Sequence, residues 1–262
     1  MGQFAKIAIE FASDVFDHLY EQGFFEKLFN KIFKRNKQIL VLGATGAGKT
    51  QFLNSLNKEL ENIQVTYSSQ ANQKNFTKID KIPISFLDTP GQGQKIEVRK
   101  KEIQNLVREN KYEGIINVVS FGYHEREHTT QKRIFDENNK INFDVINDYK
   151  QMEMKMLKEW LPLLEMSNIK WVITLVSKAD VWWDFEDDVW NYYWHGDYRK
   201  KFDEEFSVNH YSKDYYVYPY SSILQSYHGK YKSDNFTNTN RKNLNAHFLE
   251  QLTIILGKER NL

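Results

Sequence analysis

The chain has 262 residues, with 36 basic and 35 acidic side chains, 40% hydrophobic residues and 27% charged ones. That mixture is globular, and its balanced charge argues against a protein that holds nucleic acid by bulk electrostatics. The absence of cysteine excludes disulfides, thiol catalysis and cysteine-ligated zinc. No apolar run nears the roughly 18 residues of a membrane span, the start shows no signal-peptide pattern, and the expected location is cytoplasmic.

Residues 1–37 read as a helical preface to the rest of the chain. Phe4, Ile7, Ala8, Phe11, Val15 and Leu19 recur at steps of three and four, as do Phe25, Leu28, Phe29, Ile32 and Phe33, with a break near Gly23. The first half is acidic and the second basic. Such an amphipathic extension could dock on its own domain, bind a partner or second copy, or lie on a membrane, although the acidic half disfavours anionic lipid.

From Gln38 onward, short apolar runs alternate with helical stretches. The spacing predicts strands at Gln38–Leu42, around Thr77 (Asn75–Asp80), and at Ile82–Leu87, Gly114–Phe121, Trp171–Val176 and Tyr215–Tyr220. Helices are predicted over Thr50–Leu60, Lys95–Arg108, Tyr149–Leu164 and Asn243–Leu256. Interleaved strands and helices imply an α/β fold with a mostly parallel sheet covered on both faces.

Gly43-Ala44-Thr45-Gly46-Ala47-Gly48-Lys49-Thr50 matches G-x-x-x-x-G-K-[ST] between a strand and a helix, with Gln51 next in the helix. Glycines let backbone N–H groups converge on phosphate oxygens, and the helix N-terminus adds a favourable field. Lys49 supplies charge to the β- and γ-phosphates, and Thr50 a hydroxyl to Mg²⁺. Asp88-Thr89-Pro90-Gly91-Gln92 follows an apolar strand, where Asp88 is placed to hold a magnesium-bound water and Gly91 to offer a γ-phosphate its N–H. Ser177-Lys178-Ala179-Asp180 follows Trp171–Val176, and Tyr220-Ser221-Ser222 ends the last strand.

In this order the four segments resemble the Ras-like G domain of the translation-factor-related GTPase class, over residues 38–262 with insertions near 122–148 and 182–214. The resemblance implies the P-loop GTPase fold: six mostly parallel strands, one of them antiparallel, with helices on both faces. It implies that Asp180 accepts hydrogen bonds from guanine, that the Lys178 stem covers the base plane, and that the loop at Ser221 and Ser222 reads guanine O6. It further implies that Gln92 orients the attacking water, the alternative being a surface glutamine, and that a switch threonine ligates Mg²⁺. Thr66, Ser68 and Ser69 stand 22, 20 and 19 residues before Asp88, and Thr66 is chosen over the reading that all are loop hydroxyls. The expected activity is Mg²⁺-dependent hydrolysis of GTP by a switch with a slow intrinsic rate. A protein effector or activator, or a homodimer, reads its state, and no nucleic acid is expected. The alternative is a low-turnover assembly module that dimerises across the nucleotide.

Ser177 departs from the family's Asn or Thr, which predicts a weaker tie between base loop and phosphate loop. Ile223 replaces the usual lysine after Ser221-Ser222. Thr45 stands at a loop position where its side chain could obstruct a partner's arginine; Arg99 and Arg126 are candidate internal substitutes on position alone. His124-Glu125-Arg126-Glu127-His128 satisfies H-E-x-x-H, a zinc protease signature. Its charged interior and the lack of a third ligand favour a solvated or partner-contacting loop instead. The aromatic stretch from Trp182 to Tyr220 reads equally as interface anchors or as an extra helical segment packing its rings on the sheet.

Overall fold

The computed structural model describes residues 38–59, 75–79, 82–86, 112–125, 134–135, 138, 140–208, 214–228 and 231–258. Six strands form one sheet: β1 (Gln38–Gly43), β2 (Asn75–Ile79), β3 (Ile82–Phe86), β4 (Tyr112–Val119), β5 (Trp171–Val176) and β6 (Asp214–Pro219), in the order β2-β3-β1-β4-β5-β6. Only β2 runs antiparallel, against β3, and every other pairing is parallel. All six predicted strands are present, each within two residues of its predicted start and end. Thr77 lies within β2, paired with Ile84, as its position implied.

The central strands are buried on both faces because their apolar residues run without interruption. Alternate residues enter separate cores. On one side Leu40, Leu42, Ile115, Val119, Val172 and Val176 pack with Leu157 and Trp160 of α2 (Phe143–Trp160). On the other, Ile39, Val41, Ile116, Val118, Ile173 and Leu175 pack with Phe52 and Leu56 of α1 (Lys49–Glu59). Phe248 and Leu252 of α6 (Asn238–Lys258) join this second core. Full burial of such a side chain contributes about 1.5–3 kcal/mol. Gly114 is required by its neighbour, since a Cβ there would lie 2.0 Å from the Trp171 ring.

Two helices begin earlier than periodicity predicts, for reasons of capping. α2 starts at Phe143 because the Asn142 side chain accepts from the Asp144 N–H at 3.1 Å, and the chain continues past Trp160 as a 3-10 turn over Leu161–Met166. Thr237 and Asn240 cap α6 reciprocally: Thr237 Oγ1 accepts from Asn240 N at 3.1 Å, and Asn240 Oδ1 accepts from Thr237 N at 2.8 Å.

Between β5 and β6 the chain forms α3 (Ala179–Trp182), a 3-10 turn (Trp183–Phe185), α4 (Glu186–Trp190), a π-helical turn (Asn191–His195) and α5 (Asp197–Val208). Trp182, Tyr193, Tyr198 and Phe202 are fully buried, and Phe202 meets Tyr215 of β6 at 4.4 Å between ring centroids. The packing alternative for the aromatic stretch therefore holds for these rings. None of the described helices is long and apolar enough to cross a membrane. The preface 1–37 and the predicted helix Lys95–Arg108 lie outside the described residues.

Candidate functional site

The loop between β1 and α1 has every carbonyl from Gly43 to Gly48 hydrogen-bonded. Lys49 Nζ donates to Gly43 O at 2.8 Å and to Ala44 O at 3.0 Å. Thr45 O lies 3.1 Å from His124 Nδ1, Gly46 O accepts from Glu125 N at 3.1 Å, and Ala47 O accepts from Ser177 Oγ at 2.5 Å. Gly48 O accepts from Phe52 N within α1. In a trans peptide C=O and N–H point in opposite directions, so carbonyls anchored outward turn the Gly46 and Gly48 N–H groups to the other side. The concavity so formed is an anion-binding shape at a helix N-terminus. Gly46 has φ +80, and a Cβ there would lie 2.3 Å from Glu125 O, so no other residue fits beneath the segment that crosses it. Lys49 is buried in this cradle, and Thr50 is half-buried beside it.

That crossing segment, Phe121–Glu125, leaves β4 through a turn at Phe121 and Gly122, with φ 52 and 84, and is not helical; its residues up to His124 are buried. His124 is fully buried, its ring stacked on Tyr149 at 5.2 Å. Nε2 lies 2.7 Å from Oε1 of the fully buried Glu153, and Nδ1 faces Thr45 O. Both ring nitrogens face protein acceptors, and among the described residues no group of three or more metal-ligating side chains is assembled. The expectation of a solvated loop at His124 is thus overturned, and the zinc protease reading has no helix and no available His124 nitrogen. His128 lies outside the described residues.

The base-side loops close the other end. Ser177 makes the tie that its departure from Asn or Thr was expected to weaken: its short side chain reaches Ala47 O directly. Gly48, at φ +99, permits this approach, with Ser177 Oγ only 3.2 Å from where a Cβ would stand. Lys178 adopts a left-handed conformation, φ 58, and donates to Tyr123 O at 2.7 Å with Glu125 at 3.5 Å. Burial lowers its ammonium to a pKa of about 8 against the opposing pull of Glu125 and Asp180. Asp180 is 3% exposed, accepting from Ser221 Oγ at 2.9 Å and from Gln225 N at 3.4 Å. Burial raises its carboxyl above the ordinary range, and those hydrogen bonds offset only part of the rise. Asn245 of α6 clamps Ser221 from both sides, accepting from its N–H at 3.2 Å and donating to its carbonyl at 2.9 Å.

A pocket of about 420 Å³, counted out to its mouth, lies among Gly48, Ser177, Lys178, Asp180, Ser222 and Tyr227. Gln51, Glu125, Ile223 and Gln225 also line it. The structure thus brings Gly43 to Gln51, Ser177, Lys178, Asp180, Ser221 and Ser222 to one end of the sheet, at the carboxyl ends of β1, β5 and β6. Thr66, Asp88, Gly91, Gln92, Arg99 and Arg126 lie outside the described residues. Sequence reasoning missed Glu153, Asn245 and Tyr227, and gave His124 the wrong surroundings.

Residues 38–154 match the family of 50S ribosome-binding GTPases. The match takes in the phosphate loop, α1 and strands β1–β4, and covers less than half of the chain. Proteins of that family are GTPases, hydrolases acting on GTP. Among solved structures, the chain is similar to the small COPII coat GTPase SAR1 from Encephalitozoon cuniculi in complex with GDP. The identity is 14%, over 95% of this chain and 93% of that one, with a TM-score of 0.45. Toc33 from Arabidopsis thaliana, in complex with Mg²⁺ and GMPPNP, matches at 14% identity over 97% of both chains, TM-score 0.47. A GTP-binding protein from Sulfolobus solfataricus in complex with GDP matches at 17% over 98% of this chain and 68% of that one, TM-score 0.40. A search of curated proteins finds no match.

Proposed function

We propose that this protein is a Mg²⁺-dependent GTPase switch whose GTP and GDP states differ in the partner they bind, whether a protein effector, an activator or a second copy of the chain. The observation that carries the reading is one continuous site with two chemistries: a loop whose Thr45, Gly46 and Ala47 carbonyls are held by neighbouring segments, and a buried carboxylate, Asp180, lining the adjoining pocket. In this reading residues 38–262 are the G domain, with insertions near 122–148 and 182–214, and residues 1–37 are an extension. Lys49 neutralises the β- and γ-phosphates, Asp180 accepts from guanine, and Ser221 and Ser222 order the loop beside the base. Gly91 contacts the γ-phosphate and Gln92 aligns the attacking water. Thr50, in the cradle at the start of α1, together with Asp88 and Thr66, offers the hard oxygen donors that Mg²⁺ takes; the ion, when bound, neutralises charge on the β- and γ-phosphates.

Chromatography of co-purifying nucleotide, with titrations of GDP against ADP, tests the base assignment. Guanine nucleotide alone is expected, and equal affinity for ADP would remove the role of Asp180. Measuring mass and partner capture in GDP and in a non-hydrolysable GTP analogue tests the switch, which requires a difference between the two states. A nucleotide-dependent mass with turnover at the uncatalysed rate would replace the switch by the assembly module.

A further inference from the structure

The segment that crosses the phosphate loop ends in a buried ion pair whose geometry fixes its protons. Glu153 is fully buried; its Oε1 lies 2.7 Å from His124 Nε2 and accepts from Ser120 N at 2.8 Å, while Oε2 accepts from the Tyr193 hydroxyl at 2.5 Å. Although burial would raise this carboxyl, the hydrogen bond and charge of His124, with Tyr193 and Ser120, bring it below the ordinary value, so it is ionised. An ionised carboxylate only accepts, so Nε2 carries a proton. At the opposite edge of the ring Nδ1 stands 3.1 Å from Thr45 O, again a pure acceptor. A neutral imidazole has one N–H and would set a lone pair against the Thr45 carbonyl. Only the doubly protonated ring donates on both sides.

We infer that His124 is a positioning residue for nucleotide binding: anchored by Glu153, it donates to the Thr45 carbonyl and thereby fixes the Gly46 N–H toward the phosphates. The two groups belong to one planar peptide, so holding the oxygen orients the hydrogen. A charged donor on the oxygen also polarises the peptide, which strengthens the N–H as a donor on the other side. Glu125 N holds the next carbonyl, Gly46 O, at 3.1 Å, while the Ala47 N–H of that peptide donates within the loop to Ala44 O at 3.2 Å. The surroundings are consistent with a cation at this point. Tyr149 stacks on the ring, Tyr193 engages Glu153, and the Tyr227 hydroxyl donates to His124 O. Lys150 and Lys178 act on Glu153 through space, and Glu125 partners Lys178.

The inference rests on the G-domain reading but its test separates the two. Nitrogen NMR of the full chain with labelled histidine, His124 being assigned from the His124→Gln spectrum, reads protonation directly. Both ring nitrogens are expected to be protonated at neutral pH, and a single unprotonated nitrogen overturns the inference whatever the variants do. Titration with a fluorescent GDP across pH then reads function. Glu153→Gln should weaken GDP about 10-fold at neutral pH, the scale of one charge-assisted hydrogen bond. Wild-type affinity should fall as pH rises through deprotonation of His124, and that step should vanish in His124→Gln, whose neutral amide can still donate to Thr45. Superimposable pH profiles for wild type and His124→Gln, or an unchanged GDP affinity in folded Glu153→Gln, overturn it. Should Glu153→Gln fail to fold, the wild-type spectrum and the His124→Gln profile decide. Wild-type protein that binds no guanine nucleotide would instead bring down the G-domain reading itself.

Discussion

Asp180→Asn isolates the base contact from the rest of the site. In the folded chain Asp180 Oδ1 accepts from Ser221 Oγ at 2.9 Å and Oδ2 from Gln225 N at 3.4 Å, and the backbone of Asp180 also acts on the carboxyl. A carboxylate offers about four acceptor sites, so capacity remains for a donor on the guanine edge. Asparagine keeps one oxygen, loses the charge, and turns an N–H toward that donor. The charge-assisted hydrogen bond is lost at about 1.5–3 kcal/mol, and a donor faces a donor; the sum is about 3–5 kcal/mol. GDP affinity should fall roughly 150- to 5,000-fold. The apoprotein should hardly notice: the amide oxygen can still accept from Ser221, and a buried charge has been removed. Calorimetric titration with GDP and with xanthosine diphosphate, whose 2-oxo group suits an amide donor, alongside a thermal melt, gives all three quantities. A GDP affinity within threefold of wild type in a normally melting variant would refute the reasoning. In the wild type the carboxyl's raised pKa adds a sign. Binding needs the ionised form, so GDP affinity should begin to fall on acidification at a higher pH than an ordinary aspartate would dictate.

Lys49→Ala removes a phosphate cation and the donor to Gly43 O and Ala44 O, and should weaken GDP by about 100-fold or more in the same titration. Undiminished affinity would mean that the phosphate site lies elsewhere. Gln92→Leu should lower single-turnover hydrolysis about 10- to 100-fold while leaving affinity near wild type, because binding is assigned to other residues. Equal rates well above the uncatalysed background would show that another group aligns the water. Lys178 has a folded pKa depressed to about 8 from 10.5, so between those values the unfolded chain binds more protons and stability rises with pH. Denaturant melts should show wild type gaining on Lys178→Met from pH 8 to 10, and a constant difference would contradict the burial argument.

The strands were legible because Ile39–Leu42, Gly114–Val119 and Trp171–Val176 are apolar without interruption, and only a strand covered on both faces is written that way. The phosphate loop was legible because its chemistry is contiguous in sequence. What stayed hidden was chemistry assembled across distance. Glu153 occupies the inward stripe of α2, seven residues after Ile146 and four before Leu157; a carboxylate in that register was a signal, but its partners come from the segment after β4 and the π-helical turn. Asn245 likewise sits among the buried Leu244, Ala246 and Phe248 of α6. His124 misled because H-E-x-x-H has meaning only on a helix, and here Phe121–Glu125 turns across Gly46 without forming one. Helix starts at Phe143 and Asn238 depended on caps that carry no apolar period.

The strand order explains why these remote residues meet. β1, β4, β5 and β6 lie side by side, so the loops at their carboxyl ends form a row: phosphate loop, the Phe121–Glu125 segment, the Ser177–Asp180 loop, and Ser221 with Ser222. Neighbouring strands stand about 4.8 Å apart, so three steps from β1 to β6 span about 14 Å. That is the scale of a nucleotide stretched from phosphate to base. The fold therefore does more than present the phosphate loop. It places a donor from the second loop on Thr45 O and Gly46 O, and one from the third on Ala47 O. A loop held only by its own glycines would sample many shapes, because glycine restricts the backbone least. Here the flexibility needed to accept phosphate is provided by the glycines and then removed by anchors from the neighbouring strands. The aromatic segment enters the same account through Tyr193, whose hydroxyl bonds both Glu153 and the Phe121 N–H. The chain between β5 and β6 thus braces the segment that in turn braces the loop between β1 and α1.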